Sequence, residues 1–271
     1  YKETQFQMLK KLEFTKKMHE ECIKYCKKLD IIFLSSAFDV ESLKYLKKLK
    51  LSIFKVPSGE ITNYLYLKKL GSFNKKIFLS TGMSNLKEIS LAIKTLIKFG
   101  TLKSNMTLLQ CNTEYPTPFK DANLKTILSL KKNFKLDVGY SDHTESIEAS
   151  LAAVALGATV IEKHFTLSKR LEGPDHVASL EPKELKNLVT KIRNIEISLG
   201  DGKKKVSKSE KKNLKIVRKS IVAVKDIKKG EVFTEYNLTS KRPGNGLSPF
   251  LIKKLVGTKS TKSYTKDQQI K

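Results

Sequence analysis

Two histidines in this chain stand where they could share one chemical task. The stretch GYSDHT places Ser141, Asp142 and His143 in consecutive positions, and the stretch EKHFT places Glu162 two residues before His164. Two imidazoles that face one cavity can hold a divalent metal ion and leave its remaining positions to water and substrate. Because the chain has only four histidines, this placement predicts a metal site.

The SDH sequence also suggests a Ser–His–Asp hydrolase. Adjacent residues on a strand point to opposite faces, so Ser141 and His143 would share a side that Asp142 does not. The sequence contains no nucleophile elbow of the type G-x-S-x-G. The stretch therefore favours half of a metal site.

Small hydroxyl groups and one lysine recur at similar places. Ser58, Ser80 and Ser141 each lie at or just after the end of a β-prone run, and Lys55 lies just before the first of them. Hydroxyl donors beside a cation suit an anionic phosphate or carboxylate. The alternative is that each serine caps the helix that follows it. Together with the histidines, these residues predict a metal-assisted enzyme for a phosphorylated or carboxylated small molecule.

Strand-like and helix-like segments alternate six times along the chain. The β-prone runs are residues 31–38, 54–57, 76–80, 106–111, 136–140 and 158–165. The helix-like segments between and after them are residues 42–50, 64–70, 85–99, 124–134, 145–156 and 182–199. This alternation predicts a parallel sheet with crossover helices. Polar clusters lie at or just beyond the carboxyl end of every predicted strand, and in an α/β barrel that rim carries the active site.

The predicted fold class is α/β, a (β/α)8 TIM barrel that lacks its first two βα units in this chain. A closed barrel of this type has about eight units, and before residue 31 we find only a helix-like segment, 15–28. An open doubly wound sheet is the alternative, but no glycine fingerprint follows the first strand.

The amino-acid composition of the sequence changes after residue 199. We predict a partial TIM-barrel catalytic domain at 1–199, a lysine- and glycine-rich linker at 200–215, and a small β-rich domain at 216–271. The last of these is too small to be very stable alone.

The formal net charge of +26 first suggests a nucleic-acid partner. Only four of the 53 basic residues are arginine, the residue that phosphate and base-edge readers favour. The lysines are also spread over every helix-like segment. We therefore expect a solvated surface and no nucleic-acid partner.

Three cysteines argue against a disulfide framework and fit a reducing, cytoplasmic location. No apolar run approaches the ~20 residues of a membrane span. His19, Cys22 and Cys26 share one face of a predicted helix, and we interpret them as an amphipathic face with buried thiols, not as metal ligands.

Eight motifs occur in order over almost the whole chain: FLSSAFD, KVPSGE, LSTGMS, YPTPF, GYSDHT, EKHFTL, EGPDHVASLEP and KRPGNG. Together they resemble the sialic acid synthase (N-acetylneuraminate synthase) family. The resemblance implies a barrel that condenses phosphoenolpyruvate, followed by an antifreeze-protein-like (SAF) domain.

The resemblance also implies a reaction. Phosphoenolpyruvate would condense with an N-acylated hexosamine, first of all N-acetylmannosamine, to give a nine-carbon 2-keto acid and phosphate. A divalent metal, expected to be Mn²⁺ with Mg²⁺ or Co²⁺ as alternatives, would lie on His143 and His164 and polarise the sugar aldehyde.

The remaining roles follow from the same resemblance. Glu60 and Glu162 would transfer protons, and Asp175 and Arg242 would bind the sugar. The phosphoenolpyruvate contacts would be Lys55, Ser58, Ser80, Thr113, Tyr115 and Ser141. The family often has Asn at the position of Thr113, whereas here Asn112 precedes it.

Arg242 belongs to the predicted C-terminal domain, which in the family caps the partner's barrel in a domain-swapped homodimer. Two alternatives stay open. One is a legionaminic or other nonulosonic acid synthase of the same family, and the other is a non-catalytic basic module that binds polyanions.

Overall fold

The structure is a computed structural model that describes residues 4–173 and 175–271. The chain divides into two compact units, Tyr1–Gly200 and Asp201–Lys271, and each is considered by itself.

A five-stranded parallel sheet forms the centre of the first unit. Its strands are β1 Ile53–Val56, β2 Lys76–Ser80, β3 Met106–Cys111, β4 Asp137–Asp142 and β5 Ile161–Lys163. They lie side by side in sequence order, and every neighbouring pair is parallel. The carboxyl ends of all five strands therefore meet at one edge of the sheet.

Helices connect each strand of the sheet to the next, as the alternating pattern predicts, and further helices precede β1 or follow β5. They are α1 Gln5–Lys11, α2 Lys16–Lys28, α3 Val40–Lys48, α4 Tyr64–Gly71, α5 Leu86–Lys98, α6 Thr126–Phe134, α7 Glu148–Ala155 and α8 Pro182–Leu199. Local chemistry sets several of their starts: Asp39 caps α3, Asn63 caps α4, and Asn85 caps α5 in a reciprocal box with Glu88.

The core of the first unit lies between the sheet and these helices. Val56, Leu79, Leu108 and Val138 are fully buried on their strands. Burial of each such side chain contributes about 1.5–3 kcal/mol. Gly139 lets β4 approach its neighbour closely, because a Cβ there would lie 2.5 Å from the carbonyl oxygen of Val160.

The strand predicted at 31–38 is wrong. Within that segment only Ser36 pairs, in an isolated parallel bridge with Lys55, and Ile31, Ile32 and Phe38 are exposed. β-branched residues favour a strand only where a neighbour completes the ladder, and the described part of the chain supplies no partner beyond this bridge. The helix Gln5–Lys11 was not predicted; a capping box between Thr4 and Gln7 starts it.

The expectation of buried thiols on α2 is also wrong, because Cys22 and Cys26 are half-exposed. His19 is the buried member of that face, and its Nδ1 lies 3.0 Å from the carbonyl oxygen of Thr15. Within residues 4–173 and 175–271, no group of three or more His, Cys, Asp or Glu side chains converges as metal ligands.

The second unit has its own small core. Strands β6 Ser220–Ala223 and β7 Leu238–Lys241 pair antiparallel, and two short helices, α9 Lys211–Val217 and α10 Ile252–Leu255, accompany them. Ile221, Phe233 and Tyr264 are among its buried residues. No helix that the structure describes is long and apolar enough to cross a membrane.

Candidate active site

One face of the sheet carries most of the residues singled out in the sequence. The strand register places Lys55, Ser80, Cys111, Ser141 and Glu162 on the same face, each at or near the carboxyl end of its own strand. This shared face follows from the pairing of five strands and could not be read from any one motif.

Glu162 joins the two outer strands of the sheet. The hydroxyl of Ser141 donates to Glu162 Oε1 at 2.6 Å, and Lys55 Nζ lies 3.0 Å from the same oxygen. The Lys55 side chain is only 10 % exposed, so water screens this ion pair weakly. A carboxylate, a cation and a hydroxyl group are thus held within hydrogen-bonding distance.

His143 is buried and its ring is oriented by a backbone atom. Its Nδ1 lies 2.6 Å from the carbonyl oxygen of Asn112, which can only accept, so Nδ1 carries the proton and donates. Burial lowers the pKa of His143, against a smaller opposing effect of this hydrogen bond, and keeps the ring neutral at neutral pH. Its Nε2 therefore holds a lone pair.

That lone pair is not used by the nearest hydroxyl group. Ser141 Oγ lies 3.4 Å from His143 Nε2, but its single proton is donated to Glu162 at the shorter distance of 2.6 Å. Ser141 and His143 thus lie on one side of the strand end, as the alternation predicts, without forming the base and nucleophile of a triad.

His164 approaches His143 from the next strand. The two ring centroids are 5.3 Å apart with the rings nearly perpendicular. Tyr115 packs against both rings, 4.1 Å from that of His143 and 5.3 Å from that of His164. Burial raises the pKa of Tyr115 to about 12, so its hydroxyl stays protonated. Asp175 Oδ2 lies 3.7 Å from His164 Nδ1.

The donor set fits a divalent metal ion. Metal-bound histidines commonly donate their second ring nitrogen to a carbonyl or approach a carboxylate with it, and this fixes the tautomer. Here Asn112 does so for His143, and Asp175 stands in the corresponding place beside His164. Two imidazole ligands would leave several positions to water and substrate oxygen atoms.

A second group of residues surrounds Ser58. Its Oγ accepts a hydrogen bond of 3.1 Å from the Gly82 amide and lies 3.1 Å from Cys111 Sγ. A Cβ at Gly82 would lie 2.7 Å from Ser58 Oγ and 2.8 Å from the methyl group of Thr113. Position 82 therefore has no room for a side chain unless these neighbours move.

Ser80 carries a buried hydroxyl group without a partner. The residue is 1 % exposed, and its Oγ makes no hydrogen bond within the described part of the chain. An unpaired buried polar group costs about 1–3 kcal/mol. Such a group on the same face as Lys55 and Ser141 is ready to donate to a bound anion.

The helix-cap alternative for the serines does not hold. The helices that follow β1 and β2 are capped by Asn63 and Asn85, and α7 has no side-chain cap. Ser58, Ser80 and Ser141 are therefore free of that structural task.

Two other predicted residues, Glu60 and Arg242, make their contacts with residues of their own unit. The Glu60 carboxylate accepts from the side-chain amide of Asn63 at 2.7 Å, and no hydrogen bond or ion pair in the described chain joins it to the histidines. Arg242 lies in the second unit, where its Nε donates to the carbonyl oxygen of Val217. The side chain of Asn112 turns into its own loop and accepts from the Glu114 amide at 2.7 Å.

Sequence reasoning gave no role to several residues that shape the site. The carbonyl oxygen of Asn112 has no sequence signature, because every residue has one. The roles of Gly82 and Cys111 depend on contacts between strands. Asp142 and Lys163 received no role either, although their parity along β4 and β5 is opposite to that of Ser141 and Glu162 and places them on the other face of the sheet.

Comparisons with known proteins agree with the motifs. The NeuB family model matches residues 1–204, and the SAF domain model matches residues 218–271. The N,N'-diacetyllegionaminic acid synthase of Campylobacter jejuni is 60% identical over 269 residues, which is 99% of this chain and 80% of that protein. The synthase of the same name from Legionella pneumophila is 42% identical and covers 94% of this chain and 72% of its own.

A solved structure shows the same likeness. The N-acetylneuraminic acid synthetase of Leptospira borgpetersenii, crystallised with citrate, superposes with a TM-score of 0.72 at 38% identity. The match covers 77% of this chain and 72% of that one.

Proposed function

Because this chain belongs to the NeuB family, we propose that it condenses phosphoenolpyruvate with a 2,4-diacetamido hexose to give a nine-carbon, legionaminic-type acid and phosphate. The family resemblance seen in the sequence is confirmed, and the chain is a nonulosonic acid synthase, a transferase that forms a carbon–carbon bond. The sequence alone favoured N-acetylmannosamine as the acceptor. The 60% identity to a legionaminic-type synthase supports the alternative.

The observation that carries the proposal is the shared face of the strand ends. Lys55, Ser80 and Ser141 offer one cation and two hydroxyl groups there. His143 and His164 stand beside them, 5.3 Å apart between ring centroids. An anion site next to a pair of imidazoles suits an anionic enol ester that must meet a polarised carbonyl group.

Phosphoenolpyruvate would take its contacts from the hydroxyl groups and the lysine. Lys55, whose charge now faces Glu162, would hold the phosphate or carboxylate together with Ser58, Ser80 and Ser141. Thr113 and Tyr115 would close the site from the loop after β3. The unpaired Ser80 hydroxyl would gain its first hydrogen bond on binding.

His143 and His164 would hold a divalent cation, with Mn²⁺ as the first candidate. When bound, the cation supplies Lewis-acid polarisation of the acceptor aldehyde. Tyr115 packs on both rings and would limit their rotation.

The proton steps fall to a carboxylate. The methylene carbon of phosphoenolpyruvate attacks the aldehyde carbon, water adds to C2, and the tetrahedral adduct expels phosphate. Glu162 lies between a cation and a hydroxyl group, where it would take the proton of that water. Glu60 is a weaker candidate, since its carboxylate binds the side-chain amide of Asn63. Asp175 and Arg242 would bind the sugar.

A closed (β/α)8 barrel would complete this arrangement. The sequential parallel order of β1–β5 and the bridge that continues from Lys55 to Ser36 support it. The SAF domain would cap the partner's barrel in a swapped homodimer and bring Arg242 to the sugar.

Phosphate release tests the reaction class. The chain should release phosphate only when phosphoenolpyruvate, an acceptor sugar and Mn²⁺ are all present, and a chelator should abolish the release. His143→Ala and His164→Ala should each lose the activity, whereas His19→Ala, at a buried histidine in the first unit, should keep it wherever the variant folds. Release without a sugar, or activity of the His143 variant, would contradict the proposal.

A further inference from the structure

We propose that Asp142 and Lys163 are positioning residues, which hold the two imidazoles at the separation that one cation needs. Only the cation in this statement rests on the proposed function. The two side chains lie directly opposite each other in the register of β4 and β5. Lys163 Nζ is 3.3 Å from Asp142 Oδ2, and the side chains are 4% and 0% exposed.

The ion pair lies on the opposite face of the two strands from the histidines. Ser141 on β4 and His143 just beyond its end lie on one side, with Ser141 Oγ 3.4 Å from His143 Nε2, and Asp142 faces the other side. Along β5, Glu162 faces the first side and Lys163 the second. The hydrogen bond between Ser141 and Glu162 therefore joins the strand ends on the face that carries the histidines. The ion pair joins them on the opposite face.

The carboxylate of Asp142 fixes the chain on both sides of His143. Its Oδ1 accepts from the backbone amide of Thr144 at 2.9 Å and from the Thr144 hydroxyl at 2.8 Å. Its Oδ2 accepts from Ser150 on α7 at 2.6 Å. Lys163 donates in turn to the carbonyl oxygen of Thr144. Position 143 is thus enclosed between two residues whose side-chain polar groups all have partners.

The same pair controls His164. Strand β5 is three residues long, Ile161–Lys163, and His164 follows it immediately. Lys163 is therefore the last residue in the ladder before the second imidazole. Both histidines are anchored through neighbours that bind each other.

Stability alone does not explain a buried ion pair. Replacing such a pair by apolar residues of similar volume is often neutral or stabilising, whereas removing one partner leaves a buried charge. What the pair supplies is a single geometry, since its several hydrogen bonds are met together in only one relative placement of the strand ends.

Metal affinity separates positioning from folding. Mn²⁺ affinity, measured by electron paramagnetic resonance, should weaken ~10-fold or more in Lys163→Met and in Asp142→Asn. Loss of the groups that orient metal ligands typically has an effect of this size. Val138→Ala, a cavity on the same strand away from the rim, should lower the unfolding temperature and leave Mn²⁺ affinity unchanged. The double variant Asp142→Asn/Lys163→Met removes both charges, so its unfolding temperature should recover while its affinity stays weak. Wild-type affinity in the double variant would overturn the proposal.

Amide exchange gives an answer that needs no metal. In the metal-free chain, the Thr144 amide should exchange faster in Lys163→Met than in the wild type, and Val138→Ala should show no such local change. An unchanged Thr144 amide would overturn the positioning role. If the wild type binds no Mn²⁺, the metal part of the proposed function fails, and this exchange measurement still decides the role of the pair.

Discussion

Lys55 and Glu162 stand on the first and last strands of a five-stranded sheet, yet their charged atoms are 3.0 Å apart. In a flat sheet these strands would lie about 19 Å apart, so two side chains alone could not bridge them easily. The sheet is therefore curled, with its polar face on the inside. The curl brings residues from β1 and β5 into one site.

Removing the charge of Glu162 should block proton transfer. Glu162→Gln keeps an oxygen that can accept from Ser141 but loses the basic carboxylate, so kcat should fall by about 10²–10⁴-fold. The rate of phosphate release measures this kcat. Glu184→Gln, which breaks a partly exposed ion pair with Lys169, is the matched control and should keep its kcat. Equal kcat values in the two variants would remove Glu162 from the chemistry.

The unpaired hydroxyl of Ser80 gives a prediction with two readouts. Ser80→Ala removes no hydrogen bond from the free protein, so its unfolding temperature should not fall. The KM for phosphoenolpyruvate should rise about 10-fold, since a hydrogen bond to a charged group contributes about 1.5–3 kcal/mol.

The control variant for Ser80→Ala should show the opposite effects on stability and on KM. Thr101→Val loses a buried hydrogen bond to the carbonyl oxygen of Gly71, so it should destabilise the fold and leave the KM for phosphoenolpyruvate unchanged. A Ser80→Ala variant that is less stable and has a normal KM would refute an anion-binding role.

Gly82 tests the packing around Ser58. A methyl group there would lie 2.7 Å from Ser58 Oγ, so Gly82→Ala should displace that hydroxyl and raise the KM for phosphoenolpyruvate. Gly59→Ala is a close control, because a Cβ at Gly59 meets nothing within 4 Å. The KM for phosphoenolpyruvate should therefore rise in Gly82→Ala and stay at the wild-type value in Gly59→Ala. If both variants have the wild-type KM, Ser58 does not contact the substrate.

Arg242 tests the role of the C-terminal unit. Arg242→Ala should raise the KM for the acceptor sugar and leave Mn²⁺ affinity unchanged, because the proposed contact is with the sugar alone. Arg193→Ala, at a surface arginine paired with Glu196, should change neither. An unaltered sugar KM in Arg242→Ala would count against the cap.

Much of the site was predictable because it depends on strand parity. The alternation of GYSDHT predicted that Ser141 and His143 share a side, and Ser141 Oγ lies 3.4 Å from His143 Nε2. The helix–strand order and most element bounds followed from hydrophobic periodicity. Those features are local, and the sequence encodes them locally.

The features that sequence could not supply depend on non-local contacts. A run such as Ile31–Ile32 has the composition of a strand, but whether it forms one depends on a neighbour. The Asn112 carbonyl that orients His143 is a backbone atom without a signature. The meeting of Lys55 with Glu162 required knowledge of the curl of the whole sheet.

The central claim is the condensation itself, and product analysis tests it most directly. The chain is incubated with phosphoenolpyruvate, Mn²⁺ and equal amounts of a 2,4-diacetamido hexose and N-acetylmannosamine, and the nine-carbon acids are identified by mass spectrometry. We expect the diacetamido acid to predominate, with one phosphate released per acid formed. If neither nine-carbon acid forms in the presence of Mn²⁺, the account is contradicted.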